Sequence, residues 1–230
     1  MYNGLWIVLL VLLGVGVGGF LMSRAFRAVV NAEIITLPGV REDGAISLEK
    51  AIKMRRSIRD YQIAPLSLAE ISQLLWAAQG VTEDHDGLRT APSAGALYPI
   101  ELYVVAGSVD GLDTGVYKYK NTQKGLSKIV GGDKRRELSD ASLAQSWVLR
   151  APANIVICGV HERVERKYGE RAHRFVSIEA GAVAQNIYLQ AAVLKLGTVL
   201  VGTFDDAKVA TIIGAAKGEV PLAILPVGKV

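Results

Sequence analysis

At 230 residues the chain is long enough for one sizeable core and a small appendage. Half of it is hydrophobic and 21% is charged, which excludes a disordered chain, and 24 glycines signal tight turns and close backbone approaches. The formal charge of +4 is spread over separate basic spots at Arg24/Arg27, Arg55/Arg56/Arg59, Lys134-Arg135-Arg136 and Arg163 to Arg174. With no zinc-type cysteine pair, no RNA-binding aromatic signature and no DNA-reading motif, no nucleic acid partner is expected, and the basic spots suit phosphate.

Leu5 to Met22 carry no charge, close to the roughly 20 apolar residues that span a bilayer, and the segment is read as a transmembrane helix. A cleaved signal peptide is the alternative, opposed by the lack of a charged n-region and of a small-x-small cleavage site. Arg24 and Arg27 follow the span and no Lys or Arg precedes it, which puts the rest of the chain on the cytoplasmic side. The expected organisation is an anchor over residues 1–23, a linker over 24–44 and one catalytic domain over 45–230.

Beyond Gly44 the helical and strand patterns alternate without an internal repeat, which predicts an α+β or α/β domain. Ser47 caps a helix through Ala51, Ile52 and Met54. Ser67 and Glu70 make a capping box for a second, with Leu68, Ile71, Leu74, Leu75 and Ala78 at helical spacing before Gly80. Strands are expected at Ile100 to Ala106, Gly115 to Tyr119 and Ala153 to Val160. Helices follow at Lys134 to Gln145 and at Phe175 to Leu196, the latter with a wide apolar face. Thr198 to Val201, a helix at Asp205 to Ile213 and a strand at Leu222 to Val227 close the chain.

Cys158 is the only cysteine; it lies in an apolar run and reads as a buried structural thiol, so neither an intrachain disulfide nor a metal–thiolate cluster is available. His85, His161 and His173 lack metal-ligand spacing, so no metal site is expected. Ser93 lacks the Gly-x-Ser-x-Gly elbow of a hydrolase nucleophile. Arg55, Arg56, Ser57 and Arg59 place three guanidinium groups and a hydroxyl near a helix end, donors that suit a phosphate; a solvated basic patch is the other reading.

Arg55-Arg56-Ser57-Ile58-Arg59-Asp60-Tyr61 resembles the phosphate motif of the nitroreductase superfamily, and three more segments match in order. Ala91 to Pro99 is similar to the flavin-contacting loop of the SagB/thiazoline-oxidase (SagB/ThcOx) type. Lys167 to Arg171, with Arg174-Phe175 and Glu179 to Asn186, resembles its central helix. Gly197 to Phe204 and Pro226 to Lys229 resemble its last flavin-binding elements. The likeness covers about Ile46 to Val230.

The resemblance implies an α+β, nitroreductase-like fold with a mostly antiparallel central sheet flanked by helices. It implies a homodimer with FMN at the subunit interface. Arg55, Ser57, Arg59 and Lys229 would hold the FMN phosphate and ribityl chain, with Arg56 a further cofactor-binding candidate whose side chain can instead point away. Pro92, Ser93, Ala94, Gly95 and Leu97 would approach the isoalloxazine from the other protomer, with Gln185 on the central helix, and Val201, Gly202 and Thr203 would supply backbone contacts near its reactive edge. Lys167 and Tyr168 match the proton-abstracting pair of azoline-oxidising relatives; a surface lysine beside a half-buried tyrosine is the plainer reading.

The function implied is an FMN oxidoreductase passing hydride from NADH or NADPH through flavin N5 to a nitroaromatic, quinone or enone. The lack of a Gly-x-Gly-x-x-Gly after a strand agrees with nicotinamide stacking on flavin rather than filling a Rossmann site. The alternatives are a dehydrogenase oxidising azoline rings in peptides with Lys167 and Tyr168, and a non-catalytic flavin-binding, membrane-associated module.

Overall fold

The computed structural model describes residues 33–83, 85 and 87–230. The expected anchor over 1–23 and the first part of the linker, residues 24–32, lie outside the described residues; among the described residues no helix is long and apolar enough to cross a membrane. Ile34 to Val230 form one compact unit.

In chain order the strands are β1 (Ile34–Thr36), β2 (Leu66–Ser67), β3 (Val81–Glu83), β4 (Leu88–Arg89), β5 (Ile100–Ala106), β6 (Val109–Asp110), β7 (Gly115–Lys120), β8 (Gly125–Gly131), β9 (Ala153–Gly159), β10 (Leu196–Thr198) and β11 (Val220–Lys229). The helices are α1 (Leu48–Met54), α2 (Leu68–Gln79), α3 (Arg135–Ala141), α4 (Ser146–Arg150), α5 (Glu162–Tyr168), α6 (Ala172–Val193) and α7 (Asp206–Ile213).

Seven strands form one sheet in the order β1-β8-β7-β5-β9-β11-β10, and every neighbouring pair in it is antiparallel. The alternation of β5 divides the core in two. Ile100, Leu102, Val104 and Ala106 face α2 and α6 in one apolar cluster. Tyr103 and Val105 face the other way, into a cluster holding Leu138 and Ala141 of α3, Val148 of α4, and Val209 and Ile213 of α7. Cys158 is buried in that second layer, and burial pushes its thiol well above the ordinary range, which keeps it unreactive.

Ser47 caps α1 through a hydrogen bond from the Lys50 amide, and the Ser67/Glu70 capping box of α2 is complete. Three expected boundaries shift. Residues 34–36, placed in the linker, are the edge strand β1, because Ile34 and Ile35 pair with Ser127 and Leu126 of β8, itself a strand with no clean sequence signal. The helix expected over Lys134 to Gln145 ends at Ala141 as α3, and a separate short helix, α4, follows from Ser146. Ser142 donates its hydroxyl to the Leu138 carbonyl and Ser139 to that of Gln145, while Leu143 and Ala144 turn to positive φ. The long helix starts three residues early, at Ala172, in a continuous turn from α5.

Candidate active site

Two groups of residues gather on α6. The first forms at its C-terminal half. Arg55 ends α1, and the chain then runs extended so that Ser57 bridges Thr198 in parallel and the Ile58 amide donates to the Thr198 carbonyl at 2.9 Å. That course gives Arg55, Ser57 and Arg59 the same parity. The Tyr188 hydroxyl accepts from the Leu200 amide at 2.7 Å and exchanges a hydrogen bond with the Ser57 hydroxyl at 3.0 Å, and the Arg55 guanidinium stands 5.3 Å from the Tyr188 ring centre. Arg59 lies 5.5 Å from the ring centre of Trp147, and the neighbouring Gln145 donates to the Thr203 carbonyl. Thus the arginine segment and the Thr198–Thr203 segment, about 140 residues apart in the chain, become one surface.

Arg56 behaves differently. Its guanidinium donates to the carbonyls of Lys53 and Arg55, closing the end of α1, so the cofactor contact expected of it gives way to bonds within its own helix end. Val201 is buried, and its amide and carbonyl are both bonded to Ile224, so it has no backbone donor to give to a ligand. The expectation of a Val201 contact narrows to its neighbours: Gly202 and Thr203 are exposed, and their amides donate to no partner among the described residues. Lys229 lies beside this segment, its carbonyl accepting from the Gln62 amide, but its ammonium is paired with Glu70 of the α2 capping box. That pairing, with the Ser67 bonds, holds the Glu70 carboxyl below its ordinary range although burial opposes it.

The second group forms at the N-terminal half of α6. Ala91 to Pro99 crosses the end of the sheet, with Pro92 and Gly95 exposed and Ser93, Ala94 and Leu97 half-buried. The Ser93 hydroxyl accepts from the Tyr98 amide at 2.8 Å. Gly95 sits at φ +65, and a Cβ built there would lie 2.8 Å from Lys167 Nζ and 2.9 Å from the Tyr168 hydroxyl. The two residues that end α5 therefore press directly on the expected flavin loop, and glycine is needed for both the turn and the space. Tyr168 is steadied by Phe175, ring centres 4.7 Å apart. Gln185 is exposed on α6, and its side chain makes no hydrogen bond among the described residues.

Beneath the loop lies Glu179, buried on α6 and accepting from the Gln79 amide at 3.3 Å; Arg89 in turn donates to Gln79 and covers the Tyr98 ring. Burial raises the Glu179 carboxyl above its ordinary range, while the Ser93 hydroxyl, the Gln79 amide and the Arg89 charge oppose that. Its folded-state pKa is then above its unfolded value, so stability falls as pH rises from the ordinary carboxylate range through the raised value. Glu179→Gln is therefore expected to leave the urea midpoint unchanged near about pH 4 and to raise it near about pH 7. A neutral-pH midpoint that stays put or falls would refute this account of the loop's support.

Tyr188, Trp147 and Glu179 were not expected as site residues. Tyr188 carried a signal, since a phenol on the apolar face of a helix must find a partner for its hydroxyl. Trp147 carried none and Glu179 only its place in the segment that resembles the central helix, because their roles depend on which loops pack over them. The two groups are separated by nine residues of α6, about 14 Å along its axis at 1.5 Å per residue.

Donors suited to phosphate thus stand at one end of a long core helix and a glycine turn at the other. The chain belongs to the nitroreductase family, whose model matches residues 52–229. Over 195 residues it is 43% identical to a nitroreductase-named protein of Methanocaldococcus jannaschii, covering 85% of this chain and 96% of that one. It is 29% identical over 150 residues to the microcin B17-processing protein McbC of Escherichia coli, covering 63% of this chain and about half, 55%, of McbC. Among solved structures, a nitroreductase from Ralstonia eutropha superposes with a TM-score of 0.75 at 30% identity, covering 86% of this chain and 90% of that one. The Escherichia coli microcin synthetase McbBCD complex does so with 0.67 at 25% identity, covering 87% and 79%. The kinship expected from the four sequence segments, SagB/thiazoline-oxidase type included, is the one found.

Proposed function

We propose that the chain is an FMN-dependent oxidoreductase, working as a homodimer, that takes hydride from a reduced nicotinamide and delivers electrons to a small electrophilic acceptor such as a quinone, enone or nitroaromatic. The observation that carries this is the pair of half-sites on α6. The donor set fits FMN: Arg55, Ser57 and Arg59 offer two guanidinium groups and a hydroxyl to a phosphate, and the free amides of Gly202 and Thr203 suit a ring edge that gains negative charge on reduction. When bound, FMN supplies the two-electron, hydride-accepting ring that no side chain can replace. The Gly95 turn provides the close backbone approach, and Glu179 holds that turn from below.

Within one chain the half-sites lie well apart along α6, so a second copy is the natural source of the complementary half. Exposed apolar side chains on α1 and α6 support this: Leu48 and Ile52 of α1 are 61% and 53% exposed and Ile178 of α6 is 62% exposed, exposure that a partner surface would relieve.

A second reading, oxidation of an azoline ring within a peptide, is favoured by the contact of Lys167 and Tyr168 with Gly95, which brings an amine and a phenol to the expected flavin loop. There the Lys167 amine would accept the ring proton and the flavin the hydride. Titration of the purified protein with FMN, followed by anaerobic mixing with NADH or NADPH, separates the readings. Bound flavin that is bleached by nicotinamide is the expected result. Bound flavin indifferent to both nucleotides would leave the azoline reading, and failure to bind FMN would overturn both.

A further inference from the structure

Next to the Gly95 loop an open pocket of about 640 Å³ is lined by Leu97, Val160, Glu162, Arg163, Arg166 and Lys167. Four of these belong to one face of α5, at positions separated by one, three and one residues, so three cations and a single carboxylate point at the same space. Arg163 is held in place: it donates to the Tyr98 carbonyl at 2.9 Å and pairs with Glu101, which Lys118 grips from the other side. Arg166 is 81% exposed and, among the described residues, paired only with Glu162, at 3.2 Å in solvent, a contact that a stronger anion would displace at little cost. Lys167 reaches from the same face to the Gly95 turn.

Neutral quinones, enones and nitroaromatics gain nothing from such a cluster, and the pocket is of the size that encloses a larger ligand. The donor of the proposed reaction is the charged reactant. We infer that this pocket receives the 2′-phosphate of a reduced nicotinamide dinucleotide, so that the protein prefers NADPH to NADH; the inference rests on the nicotinamide-dependent reading above. A phosphate monoester concentrates about −1.5 to −2 charges on three acceptor oxygens, which matches cations grouped within two turns of one helix better than a diester does.

The test uses oxidised dinucleotides, which bind without turnover and differ only in the 2′-phosphate. Calorimetric titration of the full chain is expected to show NADP+ binding about ten-fold to a hundred-fold tighter than NAD+, the span of one or two charge-assisted hydrogen bonds. Arg166→Glu should abolish that preference by weakening NADP+ far more than NAD+, and Arg166→Lys should restore most of it. Arg166 is a surface residue, so a melting temperature equal to that of the unsubstituted chain is expected for both variants. In flavin reduction, kcat/KM for NADPH should exceed that for NADH by a similar factor and the advantage should vanish in Arg166→Glu through KM. Equal affinity for the two dinucleotides, or a preference untouched by Arg166→Glu, overturns the inference even if both reduced nucleotides bleach the flavin. Selective binding of NADP+ with no reduction by either reduced nucleotide supports the phosphate pocket and overturns the donor reading.

Discussion

Replacing Arg55 and Arg59 together by alanine is expected to weaken FMN binding by about 2 to 5 kcal/mol, the sum of the charge-assisted bonds that two guanidinium groups make to a phosphate. The geometry says why the pair should matter and the third arginine should not. Arg55 rests over Tyr188, whose hydroxyl also meets Ser57, and Arg59 rests over Trp147. Both cations are thereby steered by rings fixed in the fold, so little rotamer freedom is left to lose on binding. Arg56 is spent on the carbonyls of Lys53 and Arg55, and Arg56→Ala should change FMN affinity by less than about three-fold, within the ordinary range of surface substitutions. Quenching of flavin fluorescence on titration measures all three. A double variant that binds FMN as the parent does would remove the phosphate assignment, and with it the cofactor half of the proposed function.

The second large effect concerns stability. On the α7 side of the sheet, Lys118 pairs with Glu101 at 3.2 Å and also with Glu219; Glu219 in addition accepts from the Tyr103 hydroxyl, and Arg163 closes on Glu101. Lys118 and Glu219 are nearly enclosed, at 13% and 6% side-chain exposure. Lys118→Met keeps the volume but leaves two carboxylates facing each other with one cation fewer. The expected cost is about 3 to 5 kcal/mol, that of an uncompensated buried charge rather than the net worth of an ion pair. Adding Glu219→Gln to Lys118→Met should recover much of the loss, since the two changes act on one contact.

The same cluster sets a sign for acid. Burial would raise the Glu101 carboxyl, but bonds and charge from Arg163 and Lys118 more than offset it, and its pKa ends below the ordinary value. That stability is present above the ordinary carboxylate range and is lost as pH falls through the depressed folded-state value. Lys118→Met should therefore be most damaging near neutrality and less so in acid. Urea melts at both pH values decide it; a neutral-pH loss below about 1 kcal/mol would show that the carboxylates find other partners.

Much of the fold was legible because its elements carry local signals. The Ser67/Glu70 box, the periodic apolar face of α6 and the β-branched runs of β5 and β9 each depend on neighbours within a few residues, and each formed at or near its expected place, α6 displaced by three residues at both ends. The elements that were missed depend on distant partners. β1 is a three-residue strand that exists only because β8 offers an open edge, and the α3–α4 break depends on serine hydroxyls and on the Asp205 amide reaching the Ala141 carbonyl.

The candidate site divides along the same line. The sequence by itself determined which chemical groups were available: three arginines around a serine, a loop with glycine at its tip, a lysine–tyrosine pair, and a carboxylate and a phenol on one helix. Only the tertiary structure decided which of them meet. It took Val201 and Lys229 into other bonds, turned Arg56 onto its own helix, and set Tyr188 between Arg55 and the Thr198–Thr203 segment. It also put Lys167 and Tyr168 against Gly95. The physical reason is that a side chain's type is local, whereas its partner is chosen by long-range pairing of the sheet and by what the buried polar groups nearby require.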